Sequence, residues 1–231
     1  MTWVLIAANV AAFAYQLMLP PEAQEAVFHR FGMVPAQVTD PGGTVALSFQ
    51  FLPFFTSMFL HGGLLHIVAN LWTLWIFGDN VEDRMGPLRF LAFYLLCGLA
   101  AGVVHWLSNP ASTLPTVGAS GAIAGVLGAY LLLYPRARVV TVLPILFYPM
   151  IFELPAVLYL GFWFLLQIWS GVASLAGPSD VGGVAWWAHA GGFVAGMALL
   201  VVFRKPGRAP RPSEGRHYVY GHPSERHQYR F

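Results

Sequence analysis

Long apolar runs alternate with short breaks of proline, glycine and clustered charge along this chain. The first run, Trp3 to Leu19, is closed by Pro20 and Pro21, which cannot continue a helix interior. About 40 residues of mixed polarity follow, with Glu22, Glu25, Arg30, Asp40 and Gly42-Gly43, turning apolar near Phe49 to Phe55. A connection of that length carries function or packs on the membrane surface. The second run covers about Leu64 to Phe77, with Asp79, Glu82, Asp83, Arg84 and Arg89 at its far end. The third runs from Leu88 to Leu107 and is broken by Asn109-Pro110. The fourth opens near Val117 and stops at Tyr134-Pro135, and a connector with Arg136, Arg138, Pro144 and Pro149 leads to the fifth, about Pro155 to Leu175. After Gly177-Pro178 the sixth runs from Val184 to Phe203. The pattern predicts an all-α, polytopic membrane protein: a bundle of six transmembrane helices over residues 1–203 and a polar, Pro-rich, disordered tail over 204–231. The first run has no Lys or Arg before it and no small-residue cleavage site after it, so it reads as a retained span, not a signal peptide.

Composition agrees and narrows the class. Of 231 residues, 57% are apolar and only 10% are charged, against roughly 25% charged in a soluble globule. That deficit excludes a solvated globule, a disordered chain and an ordinary nucleic-acid binder. The single cysteine, Cys97, cannot form an internal disulfide and reads as a small buried hydrophobe. The placement of the cations sets the orientation. Arg84 and Arg89 follow the second run, Arg136 and Arg138 follow the fourth, and seven Lys or Arg lie in the tail; the other loops hold only Arg30. Both termini are therefore expected to face the cytoplasm, in a cell inner or plasma membrane.

Polar groups inside such runs are expensive and become functional hypotheses by default. His61 and His66 flank the start of the second run, and Asn70 lies four residues after His66, on the same helix face. Ser120 opens the fourth run within Gly118-Ala119-Ser120-Gly121, and His189 lies a few residues into the sixth. Topology puts Ser120, His189, His66 and Asn70 at similar depth near the outer leaflet. Each has a bland explanation when taken singly. Ser120 can bond its own backbone, His189 can anchor at the interface, and His66 with Asn70 can tie helices together. Their convergence favours a shared site. The small residues favour it too: Gly121 to Gly125 and Gly192 to Gly196 both have the small-xxx-small spacing that lets helices approach closely. A Ser–His hydrogen bond across two helices needs that approach.

The segment Val117-Gly118-Ala119-Ser120-Gly121 resembles the G-x-S-G signature of rhomboid intramembrane serine proteases. Ala188-His189-Ala190-Gly191-Gly192 resembles that family's A-H-x-x-G, and His61, His66 and Asn70 its H-x(4)-H-x(3)-N. Gly78, Glu82 and Gly86 match a G-x(3)-E-x(3)-G stretch, and Tyr134-Pro135-Arg136-Ala137-Arg138-Val139 is similar to a further family segment. A bare G-x-S-G is weak; the ordered set over about residues 1–203 is specific.

The resemblance implies a six-helix core with a Ser–His dyad in a water-filled cavity open to the outer side. Ser120 would be the nucleophile and His189 the general base, with no third carboxylate. His66, Asn70 and the Ser120 backbone N–H would form the oxyanion hole, supported by Gly118, Gly121 and His61. Substrates would be transmembrane segments of other proteins in the bilayer, unwound locally at small or helix-weakening residues. No cofactor, metal or nucleic acid is implied. A gate would involve the fifth span and the loop Gly177 to Gly183. Two departures stand out. Leu52-Pro53 occupies the place of a family Trp-Arg that anchors the first loop. Ala124 occupies the place of a tyrosine that stacks on the histidine in some members, so the brace is expected from Trp186 or Trp187. Two other classes fit the same residues: a non-catalytic relative that binds membrane clients, and a transporter with His66 and His189 in a polar path.

Overall fold

The computed structural model describes residues 1–39, 50–145, 148–175 and 184–206. Asp40, Gly42-Gly43, the 177–183 loop and the tail beyond 206 lie outside the described residues, and with them the expectations of a gating loop and a disordered tail. In chain order the elements are α1 (Thr2–Leu17), α2 (Pro21–Phe31), α3 (Pro35–Thr39) and α4 (Pro53–Thr56), which continues into a 3-10 turn at Ser57–Phe59. Then come α5 (Leu64–Met85), α6 (Pro87–Ser108), α7 (Ser120–Leu133), β1 (Arg138–Ile145), β2 (Tyr148–Pro155), α8 (Ala156–Ser174) and α9 (Trp186–Phe203).

Each of the six apolar runs contains one helix, but helix length separates them. Among the described residues, α6, α8 and α9 are long and apolar enough to cross a bilayer. The segment Pro53–Phe59 and α5, bent by 93° at a short break, make a fourth if counted together. The apolar helices α1 (16 residues) and α7 (14 residues) are shorter. At 1.5 Å per residue, 14 residues reach only ~21 Å of a ~30 Å hydrocarbon layer. The fourth run loses length because its helix starts at Ser120, not near Val117. The second gains it, because α5 continues through the charged residues to Met85. Charge ends an apolar run without ending a helix; Gly86, at φ +80°, and Pro87 end this one.

The helix α7 lies at the centre, packed against α9, α6 and α5, and every residue from Gly121 to Ala129 is buried. Core residues Phe90, Phe93, Tyr94 and Cys97 of α6 close around it. The outer faces are apolar as well: Phe162, Leu165 and Trp169 on α8 are exposed, Trp169 at 75%. Large side chains of this kind on the outside of apolar helices are suited to lipid, not water. The chain is thus a helical, multi-pass integral membrane protein.

Two local devices fix the frame. Glu82 of α5 accepts hydrogen bonds from the Thr2 backbone N–H at 2.7 Å and the Thr2 hydroxyl at 2.8 Å, which places a carboxylate on the N-terminus of α1. Gly78, one turn earlier, leaves room for the Thr2 side chain. The second device is a hairpin that the sequence leaves as a plain connector. Strands β1 and β2 pair antiparallel, with Pro144 opposite Pro149. Proline has no N–H to give, so this pair occupies a site whose backbone groups point outward, and the prolines remove edge donors without breaking the ladder.

Candidate active site

The serine and histidine come from the two helices in closest contact. A Cβ on Gly192 would overlap the carbonyl oxygen of Gly121, one on Gly196 that of Gly125, and one on Gly128 that of Phe193. Backbone therefore lies on backbone along the α7–α9 seam, as the small-residue spacing predicts. At its end the Ser120 Oγ lies 2.8 Å from His189 Nε2. The other ring nitrogen, Nδ1, lies 2.9 Å from Oε1 of Gln167 on α8. Gln167 in turn donates through Nε2 to the Trp163 carbonyl at 3.1 Å.

The residues on α5 converge on the same place. A Cβ on Gly118 would sit 2.7 Å from His66 Nε2 and 3.7 Å from Asn70 Nδ2. Gly118 is also at φ +129°, a region that side chains disfavour. Its N–H donates to the Ser57 carbonyl at 2.8 Å, which pins the turn ahead of Ser120. The Gly62 N–H donates to His66 Nδ1 at 3.4 Å, which favours the tautomer with its proton on Nε2, the nitrogen facing Gly118. Asn70 is 6% exposed and its Nδ2 has no hydrogen-bond acceptor among the described residues. Buried donors are rarely left without a partner. Two side-chain donors thus point at one spot beside the start of α7.

His61 does not reach that spot. It is 1% exposed, and its ring meets His66 edge-on with centroids 5.2 Å apart. Its backbone is clasped by Gln16 of α1: Gln16 Nε2 donates to the His61 carbonyl at 3.0 Å, and the His61 N–H donates to Gln16 Oε1 at 3.1 Å. His61 is packing behind His66. A cavity of about 830 Å³ opens over the group and is lined by Ser120, His189, His66, Asn70 and Gly118, with Trp186 at its side.

The Rhomboid domain model matches residues 48–206. The chain belongs to the rhomboid family. Among curated relatives, the human "Presenilin-associated rhomboid-like protein, mitochondrial" is 33% identical over 148 residues, 63% of this chain and 35% of that protein. "RHOMBOID-like protein 5" of Arabidopsis thaliana is 40% identical over 74 residues, 32% of this chain and 24% of that protein. "Rhomboid protease GluP" of Bacillus subtilis (strain 168) is 41% identical over 76 residues, 33% of this chain and 14% of that protein. The matched stretch spans about a third or less of the length of these relatives.

The two departures from the family pattern find local substitutes in this rhomboid. Without Trp-Arg, the described part of the first loop is held by Met33 and Thr116, which exchange backbone hydrogen bonds at 3.0 and 2.8 Å. The Trp106 Nε1–H also donates to Thr39 Oγ1 at 2.9 Å. Without the tyrosine, His189 is flanked by Trp163, with ring centroids 5.9 Å apart at 31°, and by Trp186 edge-on at 6.5 Å. Trp186 was one of the two expected braces. The other, Trp187, lies against α8 at Gly171. Trp163 and Gln167 escape the sequence reading, yet a signal exists. Gln167 is the one amide in α8, four residues after Trp163 and so on the same face.

Proposed function

We propose that this rhomboid is an intramembrane serine endopeptidase that cleaves transmembrane segments of other membrane proteins. The observation that carries the reading is the 2.8 Å approach of Ser120 Oγ to His189 Nε2 beneath a cavity, inside an apolar helical protein. A serine hydroxyl is a weak nucleophile until a base takes its proton. In the proposed reaction Ser120 Oγ attacks the scissile carbonyl carbon while His189 Nε2 accepts the hydroxyl proton. The oxyanion is held by His66 Nε2–H, Asn70 Nδ2–H and the Ser120 backbone N–H. The tetrahedral species collapses as His189 returns the proton to the leaving amine nitrogen, which leaves an ester on Ser120. A water then attacks the ester carbon, His189 takes its proton, and Ser120 Oγ departs and is reprotonated. Gly118 and Gly121 let the donors and helices approach; His61 backs His66. The reaction uses no metal or cofactor.

The topology that goes with this reading is a six-helix domain over 1–203 and a cytoplasmic tail over 204–231. Both termini are cytoplasmic, and the cavity opens to the outer side of an inner or plasma membrane. The short α7 fits it, because a helix that starts below the surface leaves its first turn facing water in the cavity.

The test is cleavage of a reporter transmembrane protein by the full chain in liposomes, with a fluorophosphonate probe run in parallel. Cleavage within or beside the reporter's span and labelling of Ser120 only in folded protein are expected. Ion or solute flux without cleavage would instead favour a transporter, and a folded protein that neither cleaves nor labels would favour a client-binding relative.

The oxyanion site supplies a second expectation. Gly118→Ala places a methyl where His66 and Asn70 converge and strains the backbone at φ +129°. Cleavage should fall by about 10²- to 10³-fold, as when one oxyanion donor is lost. Its thermal midpoint in detergent should fall far less than its rate, because the cavity beside it leaves room to relax.

A further inference from the structure

The Ser–His reading leaves open what holds the histidine in its working state. We infer that Gln167 is a positioning residue that locks His189 in the tautomer able to act as a base; this rests on the proposed protease reaction.

The inference follows from a chain of donors and acceptors. A backbone carbonyl can only accept. The Trp163 carbonyl therefore selects the amide nitrogen of Gln167, which donates to it at 3.1 Å. With Nε2 so engaged, Oε1 is the atom left facing His189 Nδ1 at 2.9 Å. An amide oxygen can only accept as well, so the proton of the neutral imidazole sits on Nδ1. The lone pair then lies on Nε2, which faces Ser120 Oγ at 2.8 Å and is placed to take its proton. A flipped amide would set Oε1 against the Trp163 carbonyl and aim its N–H₂ at Nδ1, which would favour the tautomer protonated on Nε2 and unable to accept from Ser120. One main-chain carbonyl on α8 thereby decides the protonation pattern of a ring on α9.

Burial makes the relay effective. Gln167 is 5% exposed, so little water competes for its amide. Trp163 supplies both the carbonyl that orients Gln167 and a ring beside His189. One turn of α8 thus fixes ring and tautomer together. The neutral amide does the orienting job of a triad carboxylate without burying a charge, at a site where no carboxylate is expected.

The experiment compares Gln167→Leu and Gln167→Glu with the wild-type full chain, using the reporter cleavage assay. Nitrogen-15 NMR of labelled histidine is recorded in a Ser120→Ala background, which reports the tautomer without activity. In Gln167→Leu, kcat should fall roughly 10- to 100-fold, as when an orienting partner of a reactive histidine is lost, and well short of the ~10⁴-fold of a buried triad carboxylate. KM and the thermal midpoint should change little, and His189 should become a tautomer mixture. Gln167→Glu, which keeps an acceptor, should recover much of the lost kcat. A Gln167→Leu kcat within about twofold of wild type, or a His189 that is not held as the Nδ1–H form when Gln167 is intact, would overturn the inference while leaving the Ser–His reaction standing. A kcat loss that only tracks lost folded protein, with no recovery in Gln167→Glu, would overturn it as well. If wild type neither cleaves nor labels while His189 is still held as the Nδ1–H form, the protease reading falls and the tautomer lock survives as a structural property.

Discussion

The double variant Ser120→Ala/His189→Ala is expected to be no less active than either single variant. Each single change should lower kcat/KM for the reporter by about 10⁴-fold or more, down to a floor that the second change cannot lower further. The reason lies in the proposed reaction. Ser120 without a base holds its proton and scarcely attacks. His189 without a nucleophile 2.8 Å away has no proton to take. Removing one partner disables the other, so the losses do not multiply. Whatever rate remains would come from substrate binding and the donors at His66 and Asn70, which the double variant retains. Cleavage rates of the four proteins in one liposome preparation check this. Multiplicative losses would mean that the two residues act independently, and the dyad would then be the wrong description.

That pair was legible in the sequence because each member breaks a strong rule. A serine, two histidines and an asparagine within apolar runs are costly, so their positions stand out. The spacing of His66 and Asn70 follows from helix geometry, and the glycines of α7 and α9 announce close contact before any coordinates. Other features were hidden for physical reasons. Gln167 is a single amide in an apolar run, and its role depends on a partner 22 residues away. The hairpin Arg138–Pro155 was obscured because Pro144 and Pro149 read as breakers. Only the cross-strand register reveals that they lie opposite each other and leave the pairing intact. The bounds of α5 and α7 were misjudged in opposite directions, since hydropathy marks where lipid would be and not where helical hydrogen bonds end. The stretch Gly78 to Gly86 was recognisable as a pattern, but its purpose needed Thr2, 80 residues earlier.

Two alanine substitutions at helical glycines should have opposite effects, and the larger is at Gly196. A Cβ there would overlap the carbonyl oxygen, carbonyl carbon and Cα of Gly125, all of them backbone. No rotamer change relieves such a clash, so α9 must move away from α7. Overpacking of a close-packed interior costs about 1–3 kcal/mol and more when backbone must shift, and Gly196→Ala should lie at or above the top of that range. Cleavage should fall further than folded protein does, because a shift of α9 by even ~1 Å takes His189 out of hydrogen-bond reach of Ser120. Gly161 in α8 is the control. Among the described residues a Cβ there meets nothing within 4 Å, so Gly161→Ala should gain the ~0.5–1 kcal/mol by which alanine exceeds glycine in a helix. Thermal unfolding midpoints and cleavage rates of the two variants in the same detergent separate the cases. If Gly196→Ala folds and cleaves like wild type, the backbone contact between α7 and α9 is looser than its geometry requires. The close approach that brings Ser120 to His189 would then need another source.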